Sequence, residues 1–191
     1  MGSLVYTGLV SLDGYFVDAA GNFDWAAPDP EVHAFVNDLE RPVGTHLYGR
    51  RLYEVMLAWE TMDTTDAPGE IEDYATLWRG ADKVVYSTTL PPVSSARTRI
   101  EREFDADAVR RLKDETVGRI SIGGPTLAAH AVRAGLVDEF HVFVSPVIVG
   151  GGTRYLPHDA HLELQLDDER RFDNGVVYSG YRATPAVITA G

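Results

Sequence analysis

The chain has 191 residues, 45% of them hydrophobic and 24% charged, which suits one globular domain with a full core. Its formal net charge of −12 repels phosphate backbones and anionic bilayers, so neither nucleic acid nor membrane is an expected partner. The absence of cysteine excludes disulfides, thiolate nucleophiles and thiolate metal sites.

The N-terminal run Met1-Gly-Ser-Leu-Val-Tyr lacks a basic segment, and its apolar character stops at Asp13. It fits neither a signal peptide nor a membrane span, so a cytoplasmic protein is expected. Leu4 to Val10 reads as a buried strand that enters a Gly- and Asp-rich loop from Ser11 to Trp25. Val32, Phe35, Val36 and Leu39 recur at helical spacing, predicting a helix over 30–39. A short strand at 45–48 and a short helix at 50–57 follow, then an acidic loop from Ala58 to Gly69. Residues 70–78 read as helix, 83–87 as strand, 98–101 as a weaker strand and 106–115 as a charged helix lying on a sheet.

The run Arg119-Ile-Ser-Ile-Gly-Gly-Pro-Thr is the most informative in the chain. A strand rich in β-branched residues breaks at Gly123-Gly124, and Pro125 opens a helix to Ala134, at the position where its missing N–H costs nothing. Paired glycines admit close backbone approach. The exposed amides and positive dipole end of the new helix favour an anion, most naturally a nucleotide phosphate. A strand at 139–145 precedes the Gly150-Gly-Gly152 loop. Residues 161–166 then alternate, and 170–182 hold two strand-like pieces around Asn174-Gly175, a strong hairpin signal. Strands alternating with helices imply a single α/β domain over 1–191, its sheet mostly parallel with an antiparallel terminal hairpin.

Three further segments follow predicted strands. Gly49-Arg50-Arg51 opens a helix with two cations in its first turn, where they oppose the helix dipole; a bound phosphate would explain them. Ser87-Thr88-Thr89 offers hydroxyls beyond a strand's carboxyl end, where ligands of open α/β sheets sit. Ser11-Leu-Asp-Gly14 with Gly21-Asn-Phe-Asp-Trp25 reads either as a simple turn or as a flap carrying a carboxylate and an aromatic ring over a planar ligand. No metal site is expected, since His158 and His161 lack a third ligand.

Taken in order, these motifs, with Tyr53-Glu54, Asp138-Glu-Phe140 and Pro146-Val-Ile-Val-Gly-Gly151, resemble the dihydrofolate reductase-like superfamily. The likeness is strongest to stand-alone proteins similar to the C-terminal reductase domain of the bifunctional riboflavin-biosynthesis protein, and it spans nearly the whole chain. It implies NADPH as cofactor and hydride transfer to a C=N or C=O bond of a pyrimidine, pteridine or related heterocycle. By the same resemblance Gly123, Gly124 and Thr126 hold the pyrophosphate, while Gly49, Arg50, Arg51, Ser87 and Thr88 hold the adenosine phosphates. Leu12, Asp13 and Gly14 would pack on the nicotinamide.

There are two departures from the family pattern: Leu52 stands where a Thr is common, and Asp29 and Glu31 are offset from the usual pterin-binding carboxylate. A carboxylate in a closed apolar site has a raised pKa and can deliver a proton, so Asp13, then Glu31 or Asp29, are the candidate acids. Trp25 and Phe35 are the aromatic candidates for substrate contact. A nucleotide- or pteridine-binding protein without turnover is the alternative. Exposed edges of the terminal hairpin lead us to expect a homodimer.

Overall fold

The computed structural model describes residues 1–184. In chain order the elements are β1 (Ser3–Ser11), β2 (Tyr15–Val17), a 3-10 turn (Asp24–Ala26), α1 (Pro30–Glu40), β3 (Val43–Gly49), α2 (Arg50–Met56), α3 (Ala58–Thr61) and α4 (Gly69–Gly80). Then come β4 (Asp82–Tyr86), β5 (Thr98–Glu101), α5 (Ala106–Glu115), β6 (Arg119–Gly123), α6 (Pro125–Arg133), β7 (Glu139–Ser145), β8 (Thr153–Arg154), β9 (Leu164–Arg171) and β10 (Val177–Ala183).

Eight strands form one sheet in the order β5-β4-β3-β6-β1-β7-β10-β9. The first six are mutually parallel, and β10 and β9 add antiparallel strands at one edge. The register aligns the strand ends: Tyr48 pairs with Gly123 across β3 and β6, and Ser11 with Ser145 across β1 and β7. This is the expected α/β architecture, a mostly parallel sheet closed by an antiparallel hairpin.

Strand alternation sends side chains to two helical layers. One face carries Leu4, Tyr6, Leu47, Ile120 and Ile122 against Leu127, Ala128 and Ala131 of α6 and Val109 of α5. The other carries Phe143 and Tyr178 beneath α1, and Tyr48 and Val85 beneath α2 and α4. Pro30 occupies the first turn of α1, and the Asp29 carboxylate caps it by accepting from the Val32 amide at 2.9 Å.

Two expectations are corrected. The segment 58–69 was expected to be loop, but α3 occupies its start. Tertiary contact holds this single turn: the Trp59 ring meets Tyr74 of α4 edge-on at 4.8 Å, and Arg79 donates to the Trp59 carbonyl at 2.8 Å. No periodicity over four residues could reveal that. At the terminus, the alternating 161–166 stretch and the 170 segment merge into β9. All eight β9 residues are exposed, so its ladder to β10, slipped between Gly180 and Tyr181, organises it without an apolar pattern. Phe35, the other aromatic candidate, is partly buried. It is packed among the rings of Phe143, Phe172 and Tyr178 at 6.0, 5.5 and 4.9 Å, because α1 turns its apolar stripe onto β7 and β10.

Beneath α1 the second face also buries an ionisable pair. Glu40 Oε2 lies 3.8 Å from His46 Nδ1, both side chains nearly inaccessible. Burial pushes the Glu40 carboxyl up to about 7, and the Thr7 hydroxyl and Arg119 only partly offset it. Burial, with Lys83 adding to it, pushes the His46 imidazole down to about 3. Each group is neutral in the fold at mildly acid pH, so folding there moves a proton from histidine to carboxylate.

The sign for Glu40 follows directly: the folded carboxyl binds protons more tightly than the unfolded one, so its contribution falls as pH rises from its unfolded value to about 7. Glu40→Gln removes that loss. The stability of the variant relative to the parent should therefore grow by roughly 2–3 kcal/mol between pH 5 and pH 8 in urea unfolding. A difference independent of pH contradicts the burial of an ionisable Glu40.

Candidate functional site

The carboxyl ends of β1, β3, β4, β6 and β7 form one rim, and each runs into a segment singled out in the sequence. After β6, Gly124 is the N-cap of α6 with φ +91°, a conformation that only glycine adopts without strain. Gly123 gives room of a different kind, to the side chains packed over it. A methyl group there would lie 2.5 Å from Leu52 Cδ2 and 3.2 Å from the Tyr48 ring. Leu52, the departure from the family pattern, thus trades a hydroxyl for packing against the glycine turn.

The turn after β3 stands directly beside it. A methyl group on Gly124 would meet the Gly49 nitrogen at 3.7 Å and the Gly49 Cα at 3.8 Å. Two glycine backbones approach side by side, each just before a helix opening. Arg50 extends from this junction, its Nε donating to Glu54 at 2.8 Å and its Nη1 to Thr89 Oγ1 at 2.8 Å. The arginine therefore bridges the turn after β3 to the loop after β4. Arg51 is exposed on the same first turn.

The loop after β4 is shaped from within. Ser87 Oγ accepts from the Thr89 and Leu90 amides at 3.3 and 3.0 Å, so this hydroxyl builds the loop rather than projecting from it. Thr88 is exposed at the tip. Arg102 fastens the loop by donating to the carbonyls of Ser87 and Leu90 at 2.9 and 2.8 Å. Sequence reasoning missed Arg102, whose partners are backbone atoms and leave no trace in side-chain pattern.

After β1 the chain makes the turn that the sequence allowed. The Gly14 amide donates to the Ser11 carbonyl at 2.9 Å, and Gly14 has φ +83°. The Asp13 carboxylate accepts from the Val149 and Gly150 amides at 3.2 and 2.8 Å, and Leu12 donates to the Val147 carbonyl at 2.7 Å. The first loop is thereby laced to the segment after β7. β2 and β8 extend the lacing, with Tyr15 paired to Arg154. Leu12 and Ile148 are left 63% and 70% exposed on this rim, an apolar ledge beside the glycine turns. Trp25 is half-buried, and its Nε1 donates to the Asn22 carbonyl at 3.2 Å.

The candidate acids are placed for other work. The Ser11 hydroxyl first, then the Gly150 and Val149 amides, hold the Asp13 carboxyl below the ordinary carboxylate range. Asp13 is thus kept ionised, the reverse of what a proton donor needs. Asp29 is committed to its cap, and Glu31 is exposed and paired with Arg170 at 2.7 Å. The cofactor candidates do come together: Leu12, Gly14, Gly49, Arg50, Arg51, Ser87, Thr88, Gly123, Gly124 and Thr126 all lie on the rim or in the first turn beyond it.

The RibD C-terminal domain family model matches residues 3–178, nearly the full sheet and every segment of the rim. The chain belongs to this family. The uncharacterised protein YyaP of Bacillus subtilis strain 168 is 27% identical over 175 residues, 90% of each chain. Among solved structures, a Shewanella sp. PV-4 protein assigned to riboflavin biosynthesis superposes with TM-score 0.74 at 19% identity, over 95% of this chain and 99% of its own.

Dihydrofolate reductase of Enterococcus faecalis, solved with NADP(H), superposes with TM-score 0.64 at 12% identity, over 96% and 97%. A Thermotoga maritima deaminase/reductase matches over 96% of this chain, but only 57% of that longer protein, with TM-score 0.66 and 13% identity. At such identities the likeness establishes the dihydrofolate reductase-like fold.

Proposed function

We propose that the protein is an NADPH-dependent reductase that delivers hydride to a C=N or C=O bond of a small planar heterocycle, of the pyrimidine or pteridine kind. The observation that carries this reading is the side-by-side approach of Gly49 and Gly124, with Arg50 projecting from the junction. Backbone this bare lets a diphosphate approach amide N–H groups closely, and a guanidinium alongside suits a phosphate monoester. Family membership and the activities of the structural neighbours, a uracil reductase and a dihydrofolate reductase, point the same way.

The residues fit a dinucleotide. Gly123, Gly124 and Thr126 would hold its pyrophosphate, and Arg50, with Arg51 and Thr88, the adenosine end. Leu12 and Gly14 would lie against the nicotinamide, which supplies the hydride when bound. The chain's contribution is placement and exclusion of water. Asp13 ties the first loop to the segment 147–150, and the exposed faces of Leu12 and Ile148 give a planar ring apolar surface to cover. One observation favours the second reading, a binding protein without turnover: Asp13, Asp29 and Glu31 are all engaged elsewhere.

The reading includes a homodimer joined along β9, whose outer edge no described residue covers. Antiparallel pairing of two copies centred on Glu169 sets Asp167 against Arg171 and Asp168 against Arg170, so the edge is complementary to itself in charge. Sedimentation equilibrium should give twice the chain mass, and Arg170→Glu combined with Arg171→Glu should give a monomer. A monomeric parent protein contradicts the dimer.

The cofactor assignment is tested by fluorescence titration with NADPH and NADH, followed by absorbance with pyrimidine and pterin acceptors. Arg50→Ala should weaken NADPH by roughly tenfold or more while leaving NADH nearly unchanged, as expected for loss of one charged contact to the extra phosphate. Oxidation of NADPH by any acceptor supports the reductase. Binding without oxidation supports the second reading, and no binding of either nucleotide overturns the reductase and confines the second reading to a pteridine.

A further inference from the structure

The carboxyl rim of the sheet is polarised in charge. Arg50, Arg51 and Arg102 stand along its β3–β4 stretch, where the reductase reading places the adenosine end. The β1–β7 stretch, which that reading gives to the nicotinamide, is built differently. Residues 1–40, which supply β1, the first loop and α1, hold seven carboxylates and no lysine or arginine. Residues 134–153, which supply β7 and the segment beyond it, lack both cations too.

A hydride acceptor must stack on the exposed face of the nicotinamide, so its substituents reach whatever borders this stretch. One border is closed. On the α6 face Tyr155 lies over β1: Tyr6 Oη donates to the Tyr155 carbonyl at 2.9 Å, and Tyr155 Oη to the Tyr6 carbonyl at 2.8 Å. The two rings stack at 4.3 Å, and a methyl group on Gly8 would collide with Tyr155. Arg154 belongs to this cover and lines the groove against α6. The open border is therefore on the α1 face, where the 3-10 turn at 24–26 packs against β1 and α1 begins.

That border has nothing to receive an anion. The positive dipole end of α1 would attract one, but the Asp29 carboxylate already occupies it, accepting from the Val32 amide at 2.9 Å. Asp24 and Glu31 are exposed on either side. One cation does reach the first turn of α1, Arg170 of β9, and Glu31 holds it: Nη2 donates to Oε1 at 2.7 Å. The same guanidinium lies over the Phe35 and Phe172 rings, 5.2 and 4.8 Å from their centroids. Its charge is matched by Glu31, and its flat face is taken by the rings.

Resting on the reductase reading, we propose that the acceptor is a heterocycle without phosphate or carboxylate substituents, and that Glu31 is a specificity-determining residue against anionic ones. A negatively charged substituent at this border would lose water and gain no counter-charge, while the neighbouring carboxylates repel it. A neutral ring finds the half-buried Trp25 and the exposed Leu12 and Ile148 to cover it.

The test compares matched acceptors in the presence of NADPH. One pair is dihydrofolate and its diamide, in which both carboxylates are masked; the other is an aminouracil riboside with and without a phosphate ester. The neutral member of each pair should have the higher kcat/KM, by about tenfold or more. Raising salt from about 50 to 500 mM should narrow that gap by screening, a response that a purely steric mismatch would not give. Glu31→Lys reverses one charge and releases Arg170. It should raise kcat/KM for the anionic members about fivefold or more and change the neutral ones by less than about twofold. Glu31 is a surface group, and should the variant misfold, the salt response of the parent protein still decides.

Equal or higher efficiency with the anionic members overturns the proposal and leaves the reductase reading standing. So does a preference for the neutral members that salt leaves unmoved. If no compound oxidises NADPH, the reductase reading fails, and the border is judged by binding of the four compounds to the protein holding NADP⁺. Tighter binding of the neutral members then supports its selectivity, and equal binding or none overturns it.

Discussion

Parallel pairing along β5-β4-β3-β6-β1-β7 is the constraint on which everything else depends. Antiparallel neighbours would alternate their ends between the two rims, but five parallel pairings put every strand's carboxyl end on the same one. Segments far apart in the chain, at 12–14, 49–51, 87–89, 123–126 and 146–150, are thereby gathered along a single line. The sheet itself needs no special chemistry for this. Buried β-branched and aromatic residues on both faces hold it, and the segments beyond the strands are free to carry function.

The line is reinforced by contacts between neighbouring turns, not by the sheet alone. Arg50 reaches Thr89, Arg102 pins the carbonyls of 87 and 90, and Asp13 gathers the amides of 149 and 150. Each crosses from one strand end to the next. The glycines serve the same geometry: Gly123 gives way to Leu52, Gly124 takes a backbone shape closed to other residues, and Gly152 lies against the backbone of Val17 and Asp18, where any side chain would collide. A rim fixed in this way presents amides and one guanidinium in a set arrangement before any ligand arrives, so little ordering remains to oppose binding.

Much of this was legible in the sequence, and the rest was hidden for identifiable reasons. The Gly-Gly-Pro run announced both the end of β6 and the start of α6, because each residue there answers a local backbone demand. Gly49-Arg50 was legible for the same reason. The roles of Asp13 and Phe35 were not. Asp13 looked like an acid, and only the approach of 149–150 from the far end of the chain, 136 residues away, shows that its oxygens are spoken for. Phe35 read as one of several apolar residues on a helix, and spacing alone cannot say which of them meets the core. Tyr6 and Tyr155, whose hydroxyls donate to each other's carbonyls, lie 149 residues apart, and no window of sequence contains both; Glu40 and His46 are near in sequence, but only the packing of α1 against β3 shows that the two side chains are buried together. β9 was hard to see because an edge strand with solvent on both sides has no apolar side to advertise it.

The most direct test of the central claim is an amide shift map of the ¹⁵N-labelled protein on addition of NADPH. The account expects the largest changes at Gly14, Gly49, Thr88, Gly124 and Thr126, one line along the carboxyl rim of the sheet. Changes centred instead on Ser3, Val43 and Arg119 at the opposite strand ends, or none anywhere, would contradict it.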